Sequence, residues 1–456
     1  MTHTEKRSKL KRRADNRRRF TRHHMAIPWH DYAVSNNETP AVEAEIREKS
    51  SIIGRVGLIM LSCGTGAWRV RDSMNIIAEV LGVTCTADVG LVSIEYTCMD
   101  GSHNDTQTLD LKTTTVNTHK LALMEDFLTG FEEKGNTMSV EQIHTELDKL
   151  QNKPGLYSPL SVGLAAALAC GAFTFLLGGG PIEMFCAFFG AGIGNWLRRK
   201  MNDMHEQLFA CTAASVAVAC LVYVAIIKAL EIFFGVSPAH EAGYICAMLF
   251  VIPGFPFITS GIDLSKLDMR SGIERMTYSI MIIVVATLVA WITATTIHFQ
   301  PADFVPLELG VWTLMGLRVV ASFCGVYGFS IMFNSPRRMA VMAGLIGAVA
   351  NTLRLELVDL TAMPAAAAAF FGALVAGLLA SLVKKYIGFP RISLTVPSIV
   401  IMVPGLFMYR AFYNIGVTSI AIGAYWFTKA MMIVLALPLG LIFARIFTDS
   451  RFRHCN

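Results

Sequence analysis

The chain has 456 residues, of which 54% are hydrophobic and only 16% are charged, whereas about 25% are charged in an average soluble protein. Its mean hydropathy is +0.50. This composition excludes a disordered protein, a collagen-like fibre and a secreted disulfide scaffold. The 36 Gly and 23 Met are typical of helices that pack closely in lipid. The 10 Cys form no CxxC motif and no metal-like pairing with the 11 His, so no metal and no other cofactor is expected.

The first 24 residues are strongly basic, with ten Lys or Arg, and no apolar stretch follows that would make them a signal peptide. A disordered cytosolic tail lying on anionic lipid headgroups is the preferred interpretation, because basic residues gain about 1 kcal/mol each near such a surface. A topology signal alone and a nucleic-acid-binding arm are the alternatives. Nucleic acid is not expected as a partner, since no recognisable binding module accompanies the arm.

Residues 43–157 are predicted to form a small cytosolic α/β domain. The predicted helices are Glu43–Ser62, Ala67–Leu81, Asn117–Glu133 and Ser139–Leu150, the last opening on a capping box, and the predicted strands are Val83–Ala87, Val89–Met99 and Thr106–Leu111. The Asp and His residues that an enzyme could use here are Asp88, Asp100, His103, Asp105 and His119. Their spacing matches no known nucleophile, metal or phosphate site, so they are interpreted as surface turn residues. No catalytic residue is predicted, and an enzyme is not expected.

Ten membrane spans are predicted beyond Pro154, because roughly 20 apolar residues cross a hydrocarbon core about 30 Å thick. They lie at 158–178, 181–197, 208–228, 243–262, 274–297, 310–332, 338–354, 363–383, 395–414 and 419–445. The second and seventh are the weakest, with only 14–15 charge-free residues. If the amino terminus is inside, fourteen Lys or Arg lie in the cytoplasmic loops and tail, and three lie at the opposite side. This asymmetry predicts cytoplasmic amino and carboxyl termini.

The two halves of the membrane region resemble each other. Gly192–Arg198 resembles Ala348–Arg354 at an offset of 156 residues, and Val251–Gly254 resembles Met402–Gly405 at an offset of 151 residues. Five spans per repeat force opposite orientations in the membrane, and inverted repeats are a transporter architecture. The predicted fold is therefore a polytopic α-helical membrane protein with ten spans in two inverted five-span repeats, preceded by a small cytosolic α/β domain. The predicted boundaries are 1–42 for the tail, 43–157 for the α/β domain, 158–305 for the first repeat, and 306–456 for the second repeat with a short cytosolic tail.

Two proline–glycine pairs interrupt the predicted spans at matching positions. Pro253-Gly254 lies in the middle of the fourth span, where Pro256 extends the break, and Pro404-Gly405 lies in the middle of the ninth. Proline removes a helical N–H, and glycine tolerates the distorted backbone that results. Matched breaks in the two halves point to a substrate site at the bilayer midplane. The alternative is that each proline only kinks a packed helix.

Polar side chains inside the spans are further candidates, because ionisable groups in lipid are costly. Arg318 in the sixth span could meet a substrate carboxylate, and Lys429 is similarly placed in the tenth. Asp263 closes the broken fourth span and could carry a proton or receive an ammonium group. Snorkelling or an internal ion pair explains each equally well. Asn195 and Asn351 either line the cavity or bond between helices.

The motifs of both halves resemble those of the threonine/serine exporter family (ThrE type), with the two membrane halves fused in one chain. The residues that carry the resemblance are Val251–Pro256, Asp263-Leu264, Ser271–Arg275, Gly328–Pro336, Thr395-Val396 and Val403–Gly405, with Arg69-Val70 and Leu81-Gly82 in the soluble stretch. The resemblance covers about residues 45–445. The chain departs from the family pattern at Thr259, where an Asn is frequent, and at Ile401, where a proline is frequent.

The resemblance implies secondary export of small amino acids, threonine and serine, across the bacterial cytoplasmic membrane, with a proton as the expected coupling ion. Expected partners are the amino-acid substrate, the coupling ion, membrane lipids and a second copy of the chain. The alternatives are export of a dicarboxylate such as succinate and, less favoured, a membrane-anchored hydrolase. The candidate substrate-binding residues are Asn195, Pro253, Gly254, Pro256, Thr259, Asp263, Arg318, Asn351, Pro404, Gly405 and Lys429.

Overall fold

The computed structural model describes residues 27–34, 39–299, 304 and 307–453. Most of the predicted basic tail, including its ten Lys and Arg, lies outside the described residues. The chain divides into two compact units, Met1–Thr115 with Asp126–Asn152, and Val116–Glu125 with Lys153–Asn456. The boundary between them therefore falls inside a helix, α3 (Thr118–Lys134).

The first unit contains helices and one small sheet, and the four helices and three strands predicted between residues 43 and 157 are all present. Its other helices are α1 (Ile46–Ser62), α2 (Ala67–Val80) and α4 (Val140–Gln151), with 3₁₀ turns at Trp29–Tyr32, Ala41–Glu43 and Gly135–Thr137. The predicted capping box of α4 is confirmed. The Gln142 N–H donates to the Ser139 hydroxyl at 3.3 Å, and the Ser139 N–H donates to the Gln142 side chain at 3.0 Å.

The sheet of the first unit is an antiparallel meander of β1 (Thr84–Val89), β2 (Ser93–Asp100) and β3 (His103–Asp110), in the order β1-β2-β3. β2 pairs Asp100 with His103, so the turn between β2 and β3 is shorter than the gap between the predicted strands, which end at Met99 and begin at Thr106. Gly101 adopts a positive φ of 59° there, which a two-residue hairpin turn requires. β3 begins three residues earlier than predicted for this reason.

The second unit consists of long helices packed around one apolar core. They are α5 (Pro159–Leu176), α6 (Pro181–Asp203), α7 (Leu208–Phe234), a 3₁₀ segment (Pro238–Val251), α8 (Gly254–Ser265), α9 (Met269–Thr296), α10 (Val311–Met332), α11 (Arg337–Thr361), α12 (Ala365–Ile387), α13 (Arg391–Val400), α14 (Gly405–Val417), α15 (Ile420–Thr448) and the short α16 (Ser450–Arg453). Helical segments thus cover all ten predicted spans.

Seven of the described helices are long and apolar enough to cross a membrane, and nine spans result if each of two bent helix pairs counts as one. The bent pairs are Gly243–Val251 with α8, and α13 with α14. α6, the second predicted span, is not among these seven helices. The reason is visible in its sequence, since Glu183 and the Arg198–Lys200 cluster leave only 14 charge-free residues between them.

Helix contacts repeat along the second unit. α5 packs on α6 as α10 packs on α11, and α8 packs on α9 as α14 packs on α15. The 3₁₀ segment contacts α6, and α13 contacts α11 in the same way. Five further contacts join the two series of helices: α5 with α10, α8 with α15, α9 with α14, α8 with α13, and the 3₁₀ segment with α14.

Candidate functional site

The two proline–glycine pairs break their helices, as the sequence predicts. The segment Gly243–Val251 meets α8 at a bend of 61°, and α13 meets α14 at a bend of 51°. The backbone is the same at both breaks, with φ −80° and ψ 62° at Pro253 and φ −80° and ψ 57° at Pro404. These angles are those of an inverse γ-turn.

The hydrogen bonds at the two breaks also correspond. The Gly254 N–H donates to the Ile252 carbonyl at 2.8 Å, and the Gly405 N–H donates to the Val403 carbonyl at 2.8 Å. These bonds close the γ-turns and use backbone groups that a continuous helix would pair differently. Each broken span therefore carries one γ-turn and a new helix start at matching depth in its sequence.

The breaks are packed against each other. A Cβ atom on Gly254 would lie 2.4 Å from Cγ2 of Val400, which ends the helix before the second break. A Cβ atom on Gly405 would lie 3.1 Å from Cγ1 of Ile252, which precedes the first break. The glycine after each proline thus contacts the residues before the other proline. Of the predicted site residues, Pro253, Gly254, Pro404 and Gly405 therefore lie where the two breaks contact each other.

Pro256 and Thr259 are two further candidates in α8, and the Thr259 side chain makes hydrogen bonds within that helix. The Thr259 hydroxyl donates to the carbonyls of Phe255 and Pro256, at 3.1 and 3.2 Å. Pro256 has no N–H, so it leaves the first turn of α8 without one backbone donor. Thr259 is buried, so its oxygen can meet a substrate only after its local bonds open.

Asp263 lies at the other end of α8 in a buried polar cluster. Its Oδ2 accepts a hydrogen bond from the Ser271 hydroxyl at 2.8 Å and lies 3.2 Å from Nε of Arg275. Arg275 Nε also donates to Ser271 Oγ at 3.0 Å. The Asp263 and Arg275 side chains are 0% and 2% exposed. Of the interpretations left open by the sequence, this geometry is the internal ion pair.

Arg275 was missed as a partner of Asp263, although the Ser271–Arg275 motif contains it. The two residues are 12 positions apart and lie on different helices, α8 and α9. Periodicity within one helix therefore could not link them. The signal that could have found the pair is the position of Arg275 at the start of the fifth predicted span, beyond the short turn that follows Asp263.

Asn195 and Asn351 each hold two helices together. The Asn195 amide donates to the Val162 carbonyl on α5 at 3.1 Å, and the Asn351 amide donates to the Ser322 hydroxyl on α10 at 2.8 Å. Both asparagines are buried. In each series of helices, then, the asparagine joins the second helix to the first.

Arg318 and Lys429 have partners of different kinds. The Arg318 guanidinium bonds Glu356 at 2.9 Å and Asp359 at 2.5 Å, both on α11. Lys429 is exposed, and its ammonium lies 4.5 Å from the ring centroid of Tyr425 and 5.5 Å from that of Trp426. The first is an ion-pair network between two helices, and the second is a cation–π contact on one helix.

Among the described residues, no three or more His, Cys, Asp or Glu are grouped so that they could hold a metal ion. The described cysteines are free thiols.

The family described as "Putative threonine/serine exporter" matches residues 51–297, and the family described as "Threonine/Serine exporter, ThrE" matches residues 318–447. The first match alone covers more than half of the chain. The chain belongs to the threonine/serine exporter family. The two matches follow one another, so both family halves are fused here.

Curated relatives of this chain include proteins from bacteria and yeast. A "Probable threonine/serine exporter" of Mycobacterium tuberculosis is 25% identical over 85% of this chain and 74% of its own length. The "Pheromone-regulated membrane protein 10" of Kluyveromyces lactis is 26% identical over 41% of this chain and 22% of its own length. An uncharacterized protein of Haemophilus influenzae is 27% identical over 26% of this chain and 43% of its own length. No solved structure matches.

The first unit of this chain brings a serine and a histidine together, which bears on the hydrolase alternative. Ser51 Oγ lies 3.1 Å from Nε2 of His144, and Arg55 Nη1 lies 3.3 Å from Nδ1 of the same ring. A guanidinium only donates, so the network assigns Nδ1 as the acceptor and places the proton on Nε2. Ser51 in turn donates to the Glu48 carbonyl at 2.6 Å.

This tautomer is the opposite of the one that nucleophile activation needs. A general base must accept the serine proton at Nε2, and here that nitrogen donates. Burial, with the charge of Arg55 beside it, lowers the pKa of His144 to about 3, so the ring stays neutral at physiological pH. The Ser51–His144 pair therefore serves packing between α1 and α4.

Proposed function

We propose that the protein is a secondary transporter that exports threonine and serine across the bacterial cytoplasmic membrane, driven by the proton gradient. The observation that carries the proposal is the pair of broken spans whose γ-turns match and in which the glycine of each break contacts residues before the proline of the other. Membership of the threonine/serine exporter family and the relative named as such in Mycobacterium tuberculosis support the substrate class.

The proposed membrane arrangement is ten spans in two inverted repeats, with the α/β unit and both termini in the cytoplasm. The reciprocal helix contacts support it, because exchanging each helix for its counterpart converts the α8–α15 contact into the α14–α9 contact. A two-fold relation between two repeats has this property. An odd number of spans per repeat then makes the repeats antiparallel.

A zwitterionic amino acid brings both a carboxylate and an ammonium group into the membrane. Neither can remain unpaired there without a cost of several kcal/mol. Helix starts carry a partial positive charge and helix ends a partial negative charge. α8 and α14 would offer their starts after Pro253 and Pro404, and the segments before the prolines would offer carbonyl groups.

The breaks are closed upon each other in this structure, so binding requires them to separate. Val400 fills the space beside Gly254, and Ile252 fills the space beside Gly405. Small apolar side chains that meet in this way can part without breaking hydrogen bonds. We therefore assign the described conformation to a closed state of the transport cycle.

The proton is proposed to bind at Asp263. Its carboxylate is buried and faces Arg275 and Ser271, so protonation would cancel the ion pair and change the packing of α8 on α9. An offset of 151 residues places Asn414 opposite Asp263 and Trp426 opposite Arg275. The second repeat thus lacks this ion pair, which makes the first repeat the coupling half.

Three other predicted site residues bind partners within the protein, which argues against direct contact with the substrate. Arg318 is neutralised by Glu356 and Asp359, and Asn195 and Asn351 join helices. Lys429 lies on an exposed face of α15 beside aromatic rings, where its ammonium would reach lipid headgroups. We therefore place the substrate contacts at the two breaks and assign a structural role to these four residues.

The test is counterflow with the purified protein in proteoliposomes. Vesicles preloaded with threonine should accumulate labelled threonine or serine to saturation, and an imposed proton gradient should drive net movement. Labelled succinate should not exchange. Exchange of succinate without threonine would instead support the dicarboxylate alternative, and turnover of an ester or amide without a gradient would support the hydrolase.

A further inference from the structure

Two cysteines of the first unit face each other across neighbouring strands. β1 pairs with β2 so that Cys85 lies directly opposite Cys98. The Gly90 N–H donates to the Ser93 carbonyl at 2.8 Å, so Gly90 and Ser93 form a hydrogen-bonded pair. Because hydrogen-bonded and non-hydrogen-bonded pairs alternate along an antiparallel ladder, the Cys85–Cys98 pair is non-hydrogen-bonded, with Cα atoms about 4.5 Å apart.

This spacing lies within the range of Cα distances that disulfides span, about 4.4–6.8 Å. The two thiols are also close enough for each to shift the pKa of the other. No backbone movement along the strands is needed to bring the sulfurs together. The register alone places them.

The surroundings make the two thiols unequal. The neighbouring Cys85 thiol and then the Ser50 hydroxyl lower the pKa of the Cys98 thiol against the effect of its burial, and the neighbouring Cys98 raises the pKa of Cys85. Ser50 is fully buried on α1, and no hydrogen bond to another described residue holds its hydroxyl away from the sulfur. A buried donor beside a sulfur stabilises the thiolate, which is the reactive form of cysteine.

We propose that Cys85 and Cys98 form a reversible dithiol–disulfide site that reacts with small hydroperoxides. The Cys98 thiolate attacks one oxygen of hydrogen peroxide, the O–O bond breaks, and hydroxide leaves and takes a proton as water. The Cys85 thiol then attacks the sulfenic acid of Cys98, a second water leaves, and the S–S bond forms. Two thiols and one peroxide thus give one disulfide and two waters.

Access favours a small oxidant. β1 is an edge strand of the described sheet, and Cys85 on it is 9% exposed, whereas Cys98 on the central strand is fully buried. A hydroperoxide can enter at the edge where a protein thiol or a bulky disulfide cannot. In a reducing cytoplasm the site is in the dithiol form, so the disulfide forms only after exposure to an oxidant.

Peptide mass spectrometry of the full-length protein in detergent tests the proposal. After treatment with hydrogen peroxide, denaturation and alkylation, most molecules should yield one linked peptide that contains Cys85 and Cys98 and is lighter by two hydrogen atoms than the separate peptides. Dithiothreitol should restore two alkylated cysteines. Cys63 is the internal control, because it is buried in the same unit and its thiol donates to the Ile59 carbonyl at 3.3 Å.

The variants Cys85→Ser and Cys98→Ser separate the roles of the two thiols. With Cys98 alone present, a sulfenic acid should accumulate and be trapped by dimedone; with Cys85 alone, trapping should be much weaker. If Cys85 and Cys98 stay reduced in the wild type at peroxide concentrations that oxidise free thiols, the site does not exist. Linkage of Cys63 to either residue at equal yield would likewise overturn the proposal, because it would mean nonspecific oxidation.

Discussion

At the scale of single residues, the two break glycines have different amounts of room. The Cβ contact at Gly254 would be 2.4 Å to a branched, buried valine, which cannot turn away, whereas the nearest contact at Gly405 would be 3.1 Å. Any side chain at Gly254 must displace Val400. The first break is therefore the more tightly packed of the two.

Gly254→Ala should slow threonine counterflow at least fivefold. Overpacking a core costs about 1–3 kcal/mol, and the lower end of this range already corresponds to about a fivefold change in rate. Val400→Ala should restore most of the loss in the double variant, since it removes the methyl group that the new Cβ meets. Counterflow in proteoliposomes and the amount of protein in the membrane are the measurements. A double variant no better than Gly254→Ala would argue against contact between the breaks.

The control for this experiment needs a glycine outside the breaks. Gly377 in α12 looks suitable from its sequence position alone, but the structure excludes it, because a Cβ there would lie 2.5 Å from Cβ of Ala444. Gly316 in α10 has nothing within 4 Å. Gly316→Leu should leave counterflow unchanged, whereas Leu at Gly254 or Gly405 should abolish it.

The buried ion pair makes a second prediction at this scale. Asp263→Asn alone would strand Arg275, at a cost of about 3–5 kcal/mol, so the informative variant is Asp263→Asn with Arg275→Gln. It should retain counterflow, which needs no net proton movement, and lose transport driven by a pH gradient. Unchanged gradient-driven transport in the double variant would show that the proton binds elsewhere.

At the scale of elements, the turn Trp29–Tyr32 is attached to α4 through one histidine. Nδ1 of His30 lies 2.8 Å from Glu141, and Nε2 lies 2.9 Å from Asp148. Both nitrogens must carry protons to donate to two carboxylates, so the bonds to Glu141 and then Asp148 raise the pKa of His30. Next to it, Trp29 is buried and stacks on His144 at a centroid distance of 6.2 Å.

This attachment should weaken as the pH rises. The groups that face His30 are Glu141 and Asp148 of α4, with Arg55 of α1 paired to Asp148 and neutral His144 beside the ring. Because the folded pKa of His30 is above its ordinary 6.5, its contribution is complete below pH 6.5 and is lost as the pH passes the raised value.

Trp29 fluorescence is the measurement for this release, with the other tryptophans replaced by Phe. The emission should shift to longer wavelength on the alkaline side of pH 6.5, and His30→Gln should show the shifted emission at every pH. A titration that His30→Gln leaves unaltered would assign the change to another group.

At the scale of the whole molecule, the proposed repeat offers two corresponding positions at which the orientation of each half in the membrane can be tested. The loop after α8 contains Leu267, and an offset of 151 residues leads to Thr418, which follows α14. Both residues are exposed. The two ends are also closed alike, with the Asp268 N–H donating to the Asp263 carbonyl and the Ser419 N–H donating to the Asn414 carbonyl, each at 2.9 Å.

Leu267→Cys and Thr418→Cys should therefore label from opposite sides of the membrane. With Cys455 replaced by Ser, an impermeant maleimide applied to intact cells should modify Thr418→Cys and leave Leu267→Cys untouched until the cells are opened. The nine remaining cysteines are buried or half-buried and give a low background. Labelling of both positions from outside would reject the inverted arrangement, and labelling of Leu267→Cys alone would reverse the topology.

The local features of this protein follow from its sequence. Apolar stretches in the second unit fold as helices, the Pro253-Gly254 and Pro404-Gly405 pairs break two of them, and the Ser139 capping box opens α4. Each depends on interactions over only a few residues: helix periodicity, a missing proline N–H, a hydroxyl that caps an N–H. The sequence similarity on which the proposed repeat rests is local as well, since the corresponding residues recur at a nearly constant offset.

The partners across the fold were decided only by the tertiary structure. The contact of Gly254 with Val400, the pairing of Asp263 with Arg275 and that of Arg318 with Glu356 join residues of different helices. A single sequence records which side chains are present but not which helix faces meet, because many packings satisfy the same apolar pattern. The close-packed core selects one of them, and with it determines which charges are neutralised and which glycines have no room for a side chain.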